Sequence, residues 1–350
     1  MKTTIGGQDI GDGHGTFIIA EMSANHGGDI EKAFEIIRAA KAVGADAVKL
    51  QTYLPSTITL DTDNPDFRIP GNNPWSASKN LYQLYEKAYT PWEWHEALFA
   101  EAKKVGILIF SSPFDKTAVD LLESLNAPAY KIASPEITDI PLMEYVGSKK
   151  KPVIVSTGVA EEADILLAVK TLREAGAASI ILLKCTSSYP APPESINLRT
   201  MVDMKTRFNV IVGLSDHTLG TAVPVAATAL GAAVIEKHFV LTKDDESVDS
   251  FFSLDQAEFK KMVEDVRAAE KALGRVTYDL DDEGRKNFWG RRSLYVSNDI
   301  AKGEAANAKN IQSVRPHFGL HPKHFKALLG QTAQRDLKKG DRVKLEDFGL

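Results

Sequence analysis

The sequence predicts an α/β protein: a closed (β/α)8 TIM barrel followed by a small β-rich unit at the C-terminal end. Two observations carry this prediction. From residue 17 onward, short apolar runs alternate with amphipathic segments, and eight such runs occur in about 250 residues. No glycine-rich phosphate fingerprint follows the first run, where Ala24-Asn25-His26-Gly27-Gly28-Asp29 stands instead. A closed barrel is therefore favoured over an open dinucleotide-binding sheet.

Each predicted strand is short and rich in apolar or β-branched residues, a pattern typical of strands buried on both faces. The eight strands are predicted at residues 17–21, 47–51, 107–111, 129–133, 153–156, 179–184, 210–214 and 234–238. The helices between them include residues 30–43, 92–105, 116–125, 161–175 and 221–230. The repeated order of strand and helix predicts parallel strands joined by crossover helices.

One connection, residues 53–90, is too long for a simple βα loop. It is polar and rich in turn residues, and it carries the aromatic residues Trp75, Tyr82, Tyr85 and Tyr89. Long ordered loops at the C-terminal ends of barrel strands commonly form binding-site lids. We therefore expect this segment to cover the site, with an insertion that has no functional role as the alternative.

The pattern changes after a last helix at residues 255–273. We predict a catalytic barrel with an N-terminal cap over residues 1–273, a charged linker over residues 274–292 and a separate unit over residues 293–350. In that unit the run Asp299-Ile300-Ala301-Lys302-Gly303 is echoed by Asp336-Leu337-Lys338-Lys339-Gly340. The unit is short for an independent core, so we expect it to dock on the barrel or on a second subunit.

Composition narrows the functional classes. The 350 residues carry a net charge of -5, which argues against nucleic acid as the main partner. The single cysteine, Cys185, excludes an intrachain disulfide and a zinc site built from several cysteines. No apolar signal core opens the chain and no apolar run reaches membrane-spanning length, so we predict a cytoplasmic protein without a membrane partner.

Polar side chains gather at the predicted C-terminal ends of the strands, where the active sites of barrels lie. Lys49 and Lys131, with Lys184 as a third candidate, are cations within strands, where a charge is costly unless it is paired. Together with nearby hydroxyls they would suit an anion such as a phosphate. The candidate hydroxyl donors are Ser134, Ser156 and Thr157. Two alternatives stay open: the lysines pair with core acids such as Glu21 and Glu236, or one lysine forms an imine with a carbonyl substrate.

His217 and His238 each follow or end a short strand, and the two strands are consecutive in the chain. Neutral imidazole is a common ligand of divalent metals. The two histidines could therefore hold one metal and leave positions for water and substrate. Such a metal would act as a Lewis acid toward a carbonyl oxygen. Glu21 and Asp249 are carboxylates placed to orient or deprotonate a hydroxyl or water, although Asp249 also fits a solvated acidic loop.

Several motifs resemble those of the sialic-acid synthase family. They are Ile19-Ala20-Glu21-Met22-Ser23-Ala24-Asn25-His26, Tyr130-Lys131-Ile132-Ala133-Ser134, Ser156-Thr157-Gly158, Gly213-Leu214-Ser215-Asp216-His217-Thr218 and Glu236-Lys237-His238-Phe239. The tail, from Arg291-Arg292-Ser293 to Arg315-Pro316, looks like the antifreeze-like (SAF) domain of that family. The resemblance covers nearly the whole chain. Within the family, Pro113-Phe114-Asp115-Lys116-Thr117 and Leu183-Lys184-Cys185-Thr186-Ser187 look most like the pseudaminic acid branch.

The resemblance implies a phosphoenolpyruvate-dependent synthase that forms a carbon–carbon bond. In the pseudaminic branch, phosphoenolpyruvate condenses with an amino-sugar aldehyde, 2,4-diacetamido-2,4,6-trideoxy-L-altrose, and water to give pseudaminic acid and phosphate. N-acetylneuraminate or legionaminate synthesis by the same chemistry is the alternative, and a Schiff-base aldolase is a further one. The implied cofactor is a divalent metal, Mn²⁺ with Mg²⁺ or Co²⁺ as other candidates. The implied assembly is a domain-swapped homodimer.

The resemblance also implies roles for individual residues. The implied metal ligands are His217 and His238, the implied phosphoenolpyruvate ligands are Lys49, Lys131, Ser134, Ser156, Thr157 and Ser187, and the implied sugar ligands are Tyr189 and Arg315. Glu21 would handle the attacking water or a sugar hydroxyl, and Arg315 would close the site of the partner subunit. One departure concerns the sugar: Ser247-Val248 precede Asp249 where the branch usually has Gly-Pro. The altered loop backbone could change how the sugar fits.

Overall fold

The computed structural model describes residues 1–71 and 73–350, in which two compact units are present, Met1–Gly274 and Arg275–Leu350. Each unit has its own hydrophobic core. The predicted lid at residues 53–90 includes Asn72, which lies outside the described residues. The remainder of that segment is described with the first unit, to which it belongs.

The first unit is a closed barrel of eight parallel strands, so the predicted fold class is confirmed. An N-terminal hairpin precedes it, formed by β1 (Lys2–Ile5) and β2 (Gln8–Gly11). The barrel strands are β3 (Phe17–Glu21), β4 (Ala47–Thr52), β5 (Leu108–Pro113), β6 (Tyr130–Ile132), β7 (Pro152–Ser156), β8 (Ser179–Cys185), β9 (Ile211–Asp216) and β10 (Val234–His238). The last strand pairs with the first, with Phe17 opposite Val234 and Glu21 opposite His238, which closes the barrel.

Helices connect consecutive strands, as the alternation in the sequence predicts. They are α1 (Ile30–Ala42), α4 (His95–Val105), α5 (Lys116–Ser124), α6 (Ile140–Ser148), α7 (Glu162–Ala175), α8 (Arg199–Arg207) and α9 (Ala222–Ala229), and α10 (Gln256–Leu273) follows the last strand. Aspartates 29, 115 and 255 begin α1, α5 and α10 by accepting backbone N–H hydrogen bonds at their N-termini. Among the described residues, none of the helices has both the length and the apolar character needed to span a bilayer.

The barrel interior is apolar at one end and polar at the other. Residues early in the strands, such as Phe17 and Val234, point inward and are buried. Ile5 and Ile10 of the hairpin pack into the same cluster and fill the N-terminal end of the barrel. The polar inward residues are therefore confined to the C-terminal ends of the strands, where a barrel places its active site.

In its described residues the inserted segment carries the α-helices α2 (Pro55–Ile58) and α3 (Leu81–Ala88), and both of its ends are anchored to the barrel. The Trp92 Nε1 donates to the Tyr53 carbonyl at 3.1 Å, and the Thr90 hydroxyl lies 3.2 Å from the His26 Nε2. These contacts fix the base of the segment beside the C-terminal ends of the strands.

The second unit contains α11 (Asp282–Lys286), β11 (Ser293–Val296), β12 (Ile311–Val314) and α12 (Phe325–Leu328), with the two strands antiparallel. The two similar sequence runs pair reciprocally: Ile300 and Leu337 exchange backbone hydrogen bonds of 2.9 Å in both directions. The carboxylates of Asp299 and Asp336 each accept a hydrogen bond from a backbone N–H of the opposite run, at Lys339 and Lys302. The repeated sequence thus produces an internal two-fold arrangement.

Candidate active site

The strand ends surround a cavity of about 380 Å³ at the C-terminal mouth of the barrel. Side chains alternate along each strand, so on β10 Glu236 and His238 face the interior while Lys237 faces outward. The cavity is lined by residues predicted from the sequence, among them Ser187, Tyr189, His238 and Asp249. It is also lined by Trp75, Leu84 and Tyr85 of the inserted segment.

Two buried lysines and two buried glutamates form a charged network inside the barrel. The Lys49 Nζ lies 2.6 Å from Glu21 Oε2 and 3.6 Å from Glu236 Oε1, and the Lys131 Nζ lies 3.7 Å from the same Glu236 oxygen. The lysines therefore do pair with the core acids, as one alternative from the sequence had it. The pairing leaves both ammonium groups inside the polar end of the barrel.

The pKa values in this network follow from burial and from the neighbouring charges. Burial raises the pKa of Glu21 to about 7, despite the lowering effect of Lys49. Burial also acts to raise the pKa of Glu236, but Lys131 and Lys49 outweigh it and the pKa is lowered. Burial lowers the pKa of Lys131. Glu21 is thus the carboxyl that can exchange a proton near neutral pH.

Buried serine hydroxyls lie at or just beyond the ends of β6, β7 and β8, and those of Ser134 and Ser187 converge on Gly158. The Ser156 Oγ and Ser187 Oγ are buried without a hydrogen-bond partner, while Ser134 Oγ accepts a bond of 2.9 Å from the Gly158 N–H. A Cβ at Gly158 would lie 2.3 Å from Ser187 Oγ and 2.8 Å from Ser134 Oγ. Only glycine allows this convergence, and buried unpaired hydroxyls are costly. The pocket fits the oxygens of an anion such as phosphate.

Two other residues considered for anion binding are used differently. The Thr157 hydroxyl donates to the Leu183 carbonyl at 3.1 Å, so it links β7 to β8. Lys184 lies between the inward-facing Leu183 and Cys185 and points away from the interior, with its Nζ 2.5 Å from the Cys185 carbonyl. The candidate role of Lys184 at the anion site is therefore wrong, because its register position faces the other side of the strand.

His217 and His238 lie together at the mouth, with ring centroids 5.4 Å apart. The His217 Nδ1 is 3.0 Å from the Thr186 carbonyl, which assigns the proton to Nδ1 and leaves the Nε2 lone pair available. The His238 Nδ1 is buried without a hydrogen-bond partner, and burial holds the pKa of His238 well below its ordinary value. A neutral imidazole with an unused nitrogen fits a metal ligand.

Cys185 lies beside the first of these histidines, with its Sγ 3.9 Å from the His217 Nδ1. Burial raises the pKa of the Cys185 thiol, but the contact with His217 outweighs it and lowers the pKa to about 7. Burial lowers the pKa of His217, and the contact with Cys185 raises it above the ordinary value. Protonation of the second ring nitrogen, Nε2, would compete with metal binding at His217.

The two histidines fit a divalent ion that keeps positions open for other ligands. In residues 1–71 and 73–350, no cluster of three or more His, Cys, Asp or Glu side chains has metal-binding geometry. The closest carboxylate contact is that of Asp249, whose Oδ2 lies 3.9 Å from the His238 Nδ1. A metal ion at this place would take its two protein ligands from the histidines, and water and substrate would complete the coordination.

Asp249 is joined to Glu21 by a chain of hydrogen bonds that sequence reasoning did not predict. The Ser23 Oγ donates to Asp249 Oδ2 at 2.5 Å, and the Gln51 Nε2 donates to both Ser23 Oγ (2.9 Å) and Glu21 Oε1 (3.1 Å). Burial raises the pKa of Asp249. Asp249 is thus a buried component of the site, and the alternative of a solvated loop residue is wrong.

Aromatic side chains form one wall of the cavity. The Tyr189 ring lies 4.4 Å from the His217 ring and 5.3 Å from the Trp75 ring, centroid to centroid. Phe252 packs on His238 at 4.7 Å and on Tyr189 at 5.0 Å. The wall places flat apolar surface directly beside the two histidines.

Four polar residues of the site were not assigned roles from the sequence. They are Ser23, Gln51, Ser112, which accepts from Lys49 at 3.3 Å, and Ser215, which donates to Glu236 at 3.4 Å. Gln51 lies two residues after Lys49, and Ser215 lies two residues before His217, so the strand period of two could have identified both. Arg315 follows β12 in the second unit, and its role in a partner's site stays a prediction.

The fold and the site define a class: a TIM-barrel protein with buried lysines and serine hydroxyls at its mouth, a histidine pair and a separate small C-terminal domain. Comparison with known families identifies the class further. The NeuB family model matches residues 36–278, and the SAF domain model matches residues 291–349. The chain belongs to the NeuB family, and the resemblance drawn from its motifs is confirmed.

Individual relatives cover nearly the whole chain. A pseudaminic acid synthase from Campylobacter jejuni is 52% identical, over 95% of this chain and 96% of its own length. A pseudaminic acid synthase from Helicobacter pylori is 46% identical, over 95% and 97%. Among solved structures, an N-acetylneuraminic acid synthetase from Leptospira borgpetersenii superposes with a TM-score of 0.73 at 29% identity, covering 82% of this chain and 95% of that one.

Proposed function

We propose that this protein is a pseudaminic acid synthase, which converts phosphoenolpyruvate, 2,4-diacetamido-2,4,6-trideoxy-L-altrose and water to pseudaminic acid and phosphate. Relatives of that name at 46% and 52% identity support the choice of sugar. The observation that carries the reaction is the pair of unpartnered hydroxyls of Ser156 and Ser187, in the same barrel mouth as two histidines. Because phosphoenolpyruvate is a cytoplasmic metabolite, the proposal includes a cytoplasmic location.

Phosphoenolpyruvate is held by charge and by hydroxyl donors. Lys49 and Lys131 neutralise its carboxylate and phosphate, and their place inside the barrel keeps them from being screened by water. The phosphate oxygens accept hydrogen bonds from Ser134, Ser156 and Ser187. Thr157 supports this pocket through its bond to Leu183, which holds the ends of β7 and β8 together.

The sugar aldehyde is bound beside this pocket, next to the two histidines. His217 and His238 would hold a divalent metal ion, Mn²⁺ with Mg²⁺ or Co²⁺ as other candidates, which when bound supplies a Lewis acid for the aldehyde oxygen. Tyr189 presents its ring, and Asp249 accepts a hydrogen bond from a sugar hydroxyl. These contacts bring the aldehyde carbon to C3 of the enolpyruvate, where the new carbon–carbon bond forms.

Water then completes the reaction. It adds to C2 of the enolpyruvate unit, and Glu21 accepts its proton, consistent with a pKa of about 7. The sugar oxygen, which carries the electron pair of the former carbonyl, takes up that proton, and Glu21 returns to its charged form. The tetrahedral intermediate at C2 expels phosphate together with the remaining hydroxyl proton and becomes a 2-keto acid. Lys49, 2.6 Å from Glu21, is placed to stabilise the carboxylate when it is charged.

The proposed assembly is a homodimer in which Arg315 of the partner subunit closes each site and contacts the sugar. The charges of the two units favour such docking. Residues 275–350 contain 15 lysines and arginines against 10 aspartates and glutamates, whereas the whole chain carries -5. The barrel unit is therefore strongly acidic and the second unit basic, which favours contact between the two kinds of unit.

The test is a reaction assay with a panel of amino sugars. The protein is incubated with phosphoenolpyruvate, Mn²⁺ and the precursors of pseudaminic, legionaminic and N-acetylneuraminic acid, and phosphate release and product mass are measured. We expect turnover of the altrose derivative with the mass of pseudaminic acid. Preferred turnover of either other precursor would replace the proposed sugar and retain the chemistry.

A Schiff-base aldolase is the second candidate, favoured by one observation: the pKa of the buried Lys131 is lowered, as an imine-forming amine requires. Treatment with borohydride in the presence of substrate distinguishes the two. We expect no covalent adduct. A substrate-derived mass on Lys131 or Lys49 would establish the aldolase instead.

A further inference from the structure

A buried ion pair lies on the outer side of the barrel, one residue away from each histidine. Asp216 and Lys237 are register partners on β9 and β10, and the Lys237 Nζ lies 2.5 Å from the Asp216 Oδ2. Their side chains are 0% and 1% exposed. Asp216 directly precedes His217, and Lys237 directly precedes His238.

Packing alone does not explain this pair. The preceding outward positions of the same strands carry Leu214 and Ile235, which belong to the apolar layer outside the barrel. A buried ion pair is seldom more stabilising than apolar side chains of similar size, because both charges must be removed from water. Apolar residues at positions 216 and 237 would continue the layer without that cost. The two charges therefore serve a purpose other than filling space.

The pair also fixes Thr218, the residue that follows His217 in the chain. Asp216 Oδ1 accepts a bond of 3.0 Å from the Thr218 N–H, and Asp216 Oδ2 accepts one of 3.0 Å from the Thr218 hydroxyl. The Lys237 Nζ donates to the Thr218 carbonyl. Thr218 is fully buried. Asp216 and Thr218, the chain neighbours of His217, are thus hydrogen-bonded to each other and to Lys237, which precedes His238.

We infer that Asp216 and Lys237 are positioning residues that set the separation of His217 and His238 for one shared metal ion. The inference rests on the proposed metal site. Displacing one histidine backbone relative to the other requires breaking buried, charged hydrogen bonds. The Thr186 carbonyl orients the His217 ring, but it does not connect that ring to β10; Asp216 and Lys237 make this connection.

The double variant Asp216→Leu/Lys237→Met tests the inference without leaving one buried charge unpaired. Lys170→Met is the matched control, because Lys170 forms an exposed pair with Glu174 on α7. Metal-free protein is titrated with Mn²⁺ while free Mn²⁺ is counted by electron paramagnetic resonance. Hydrogen exchange of the segment containing Thr218 is measured without metal, and folding is checked by thermal melting.

We expect the folded double variant to bind Mn²⁺ about tenfold more weakly than wild type and to exchange faster at Thr218, with the control unchanged. Wild-type Mn²⁺ affinity and exchange in that variant overturn the inference. If the double variant does not fold, Asp216→Asn/Lys237→Met replaces it, because it removes the bonds from Lys237 and keeps a carbonyl acceptor for the Thr218 N–H; unchanged affinity and exchange there have the same consequence. If the wild-type protein binds no Mn²⁺, the proposed metal site is refuted. Hydrogen exchange at Thr218 then tests the positioning role by itself, and an unchanged exchange rate in the variant overturns that role.

Discussion

The Trp75 indole N–H donates a hydrogen bond of 3.0 Å to the Val248 carbonyl, which joins the inserted segment to a loop 173 residues further along the chain. The Trp75 ring also packs against Tyr189, beside the histidines. Ser247, the other residue of the departure from Gly-Pro, donates its hydroxyl to Asn25 Oδ1 at 2.7 Å. A glycine at position 247 could not make that bond, so the departure adds a polar anchor to the loop before Asp249.

Trp75→Ala is expected to raise the KM for the sugar about tenfold and to leave the KM for phosphoenolpyruvate nearly unchanged, because the indole contacts the aromatic wall and not the anion pocket. Steady-state kinetics with each substrate varied in turn provide the measurement. Trp75→Phe keeps a ring but loses the N–H bond, and its effect should be intermediate. Equal changes in both KM values would contradict a role specific to the sugar.

Ser156→Ala and Ser187→Ala are each expected to raise the KM for phosphoenolpyruvate about tenfold, because each removes a hydroxyl donor to a charged phosphate. Thr157→Val is the matched control, since the Thr157 hydroxyl donates to the Leu183 carbonyl. This control should lower the melting temperature and change the KM for phosphoenolpyruvate by much less than tenfold. The same KM increase in all three variants would argue against a pocket of specific hydroxyls.

Much of the fold follows from local pattern, whereas parts of the site depend on register and on distant loops. The apolar runs predict all eight barrel strands, because a buried parallel strand must be apolar on both faces. They do not show which side of a strand a lysine faces: Lys49 and Lys131 point inward and Lys184 does not. The bond from Trp75 to Val248 joins two loops without periodicity, so no sequence pattern could have indicated it.

The value of kcat/KM for phosphoenolpyruvate is expected to rise with pH through about 7, because Glu21 must lose its proton to accept one from water and burial raises its pKa to that value. Lys49 and Glu236 face this carboxyl, so the rise reports the network they form. Glu21→Gln should lower the rate by about 10²-fold or more and remove the rise. A pH profile of the same shape in that variant would assign the proton to another group.

Chelation is expected to abolish turnover, with Mn²⁺ restoring it, and His217→Ala or His238→Ala should each remove both activity and Mn²⁺ binding. In the proposed site, the two neighbouring histidines would supply the protein ligands of the metal. The bound metal is counted by elemental analysis alongside the kinetics. Full turnover in a preparation shown to be metal-free would refute the metal role.

Subunit mixing tests whether Arg315 acts in the partner's site. Arg315→Ala and His217→Ala dimers are each expected to be inactive. After dissociation and random reassociation, half of the dimers combine one subunit of each kind. If Arg315 acts on the partner, one site in each mixed dimer has an intact His217 and an intact Arg315, so about a quarter of wild-type activity should return. If Arg315 acts within its own subunit, every site keeps one defect and no activity returns. Recovery therefore distinguishes the two arrangements, and a monomeric mass in solution would contradict the exchange of domains directly.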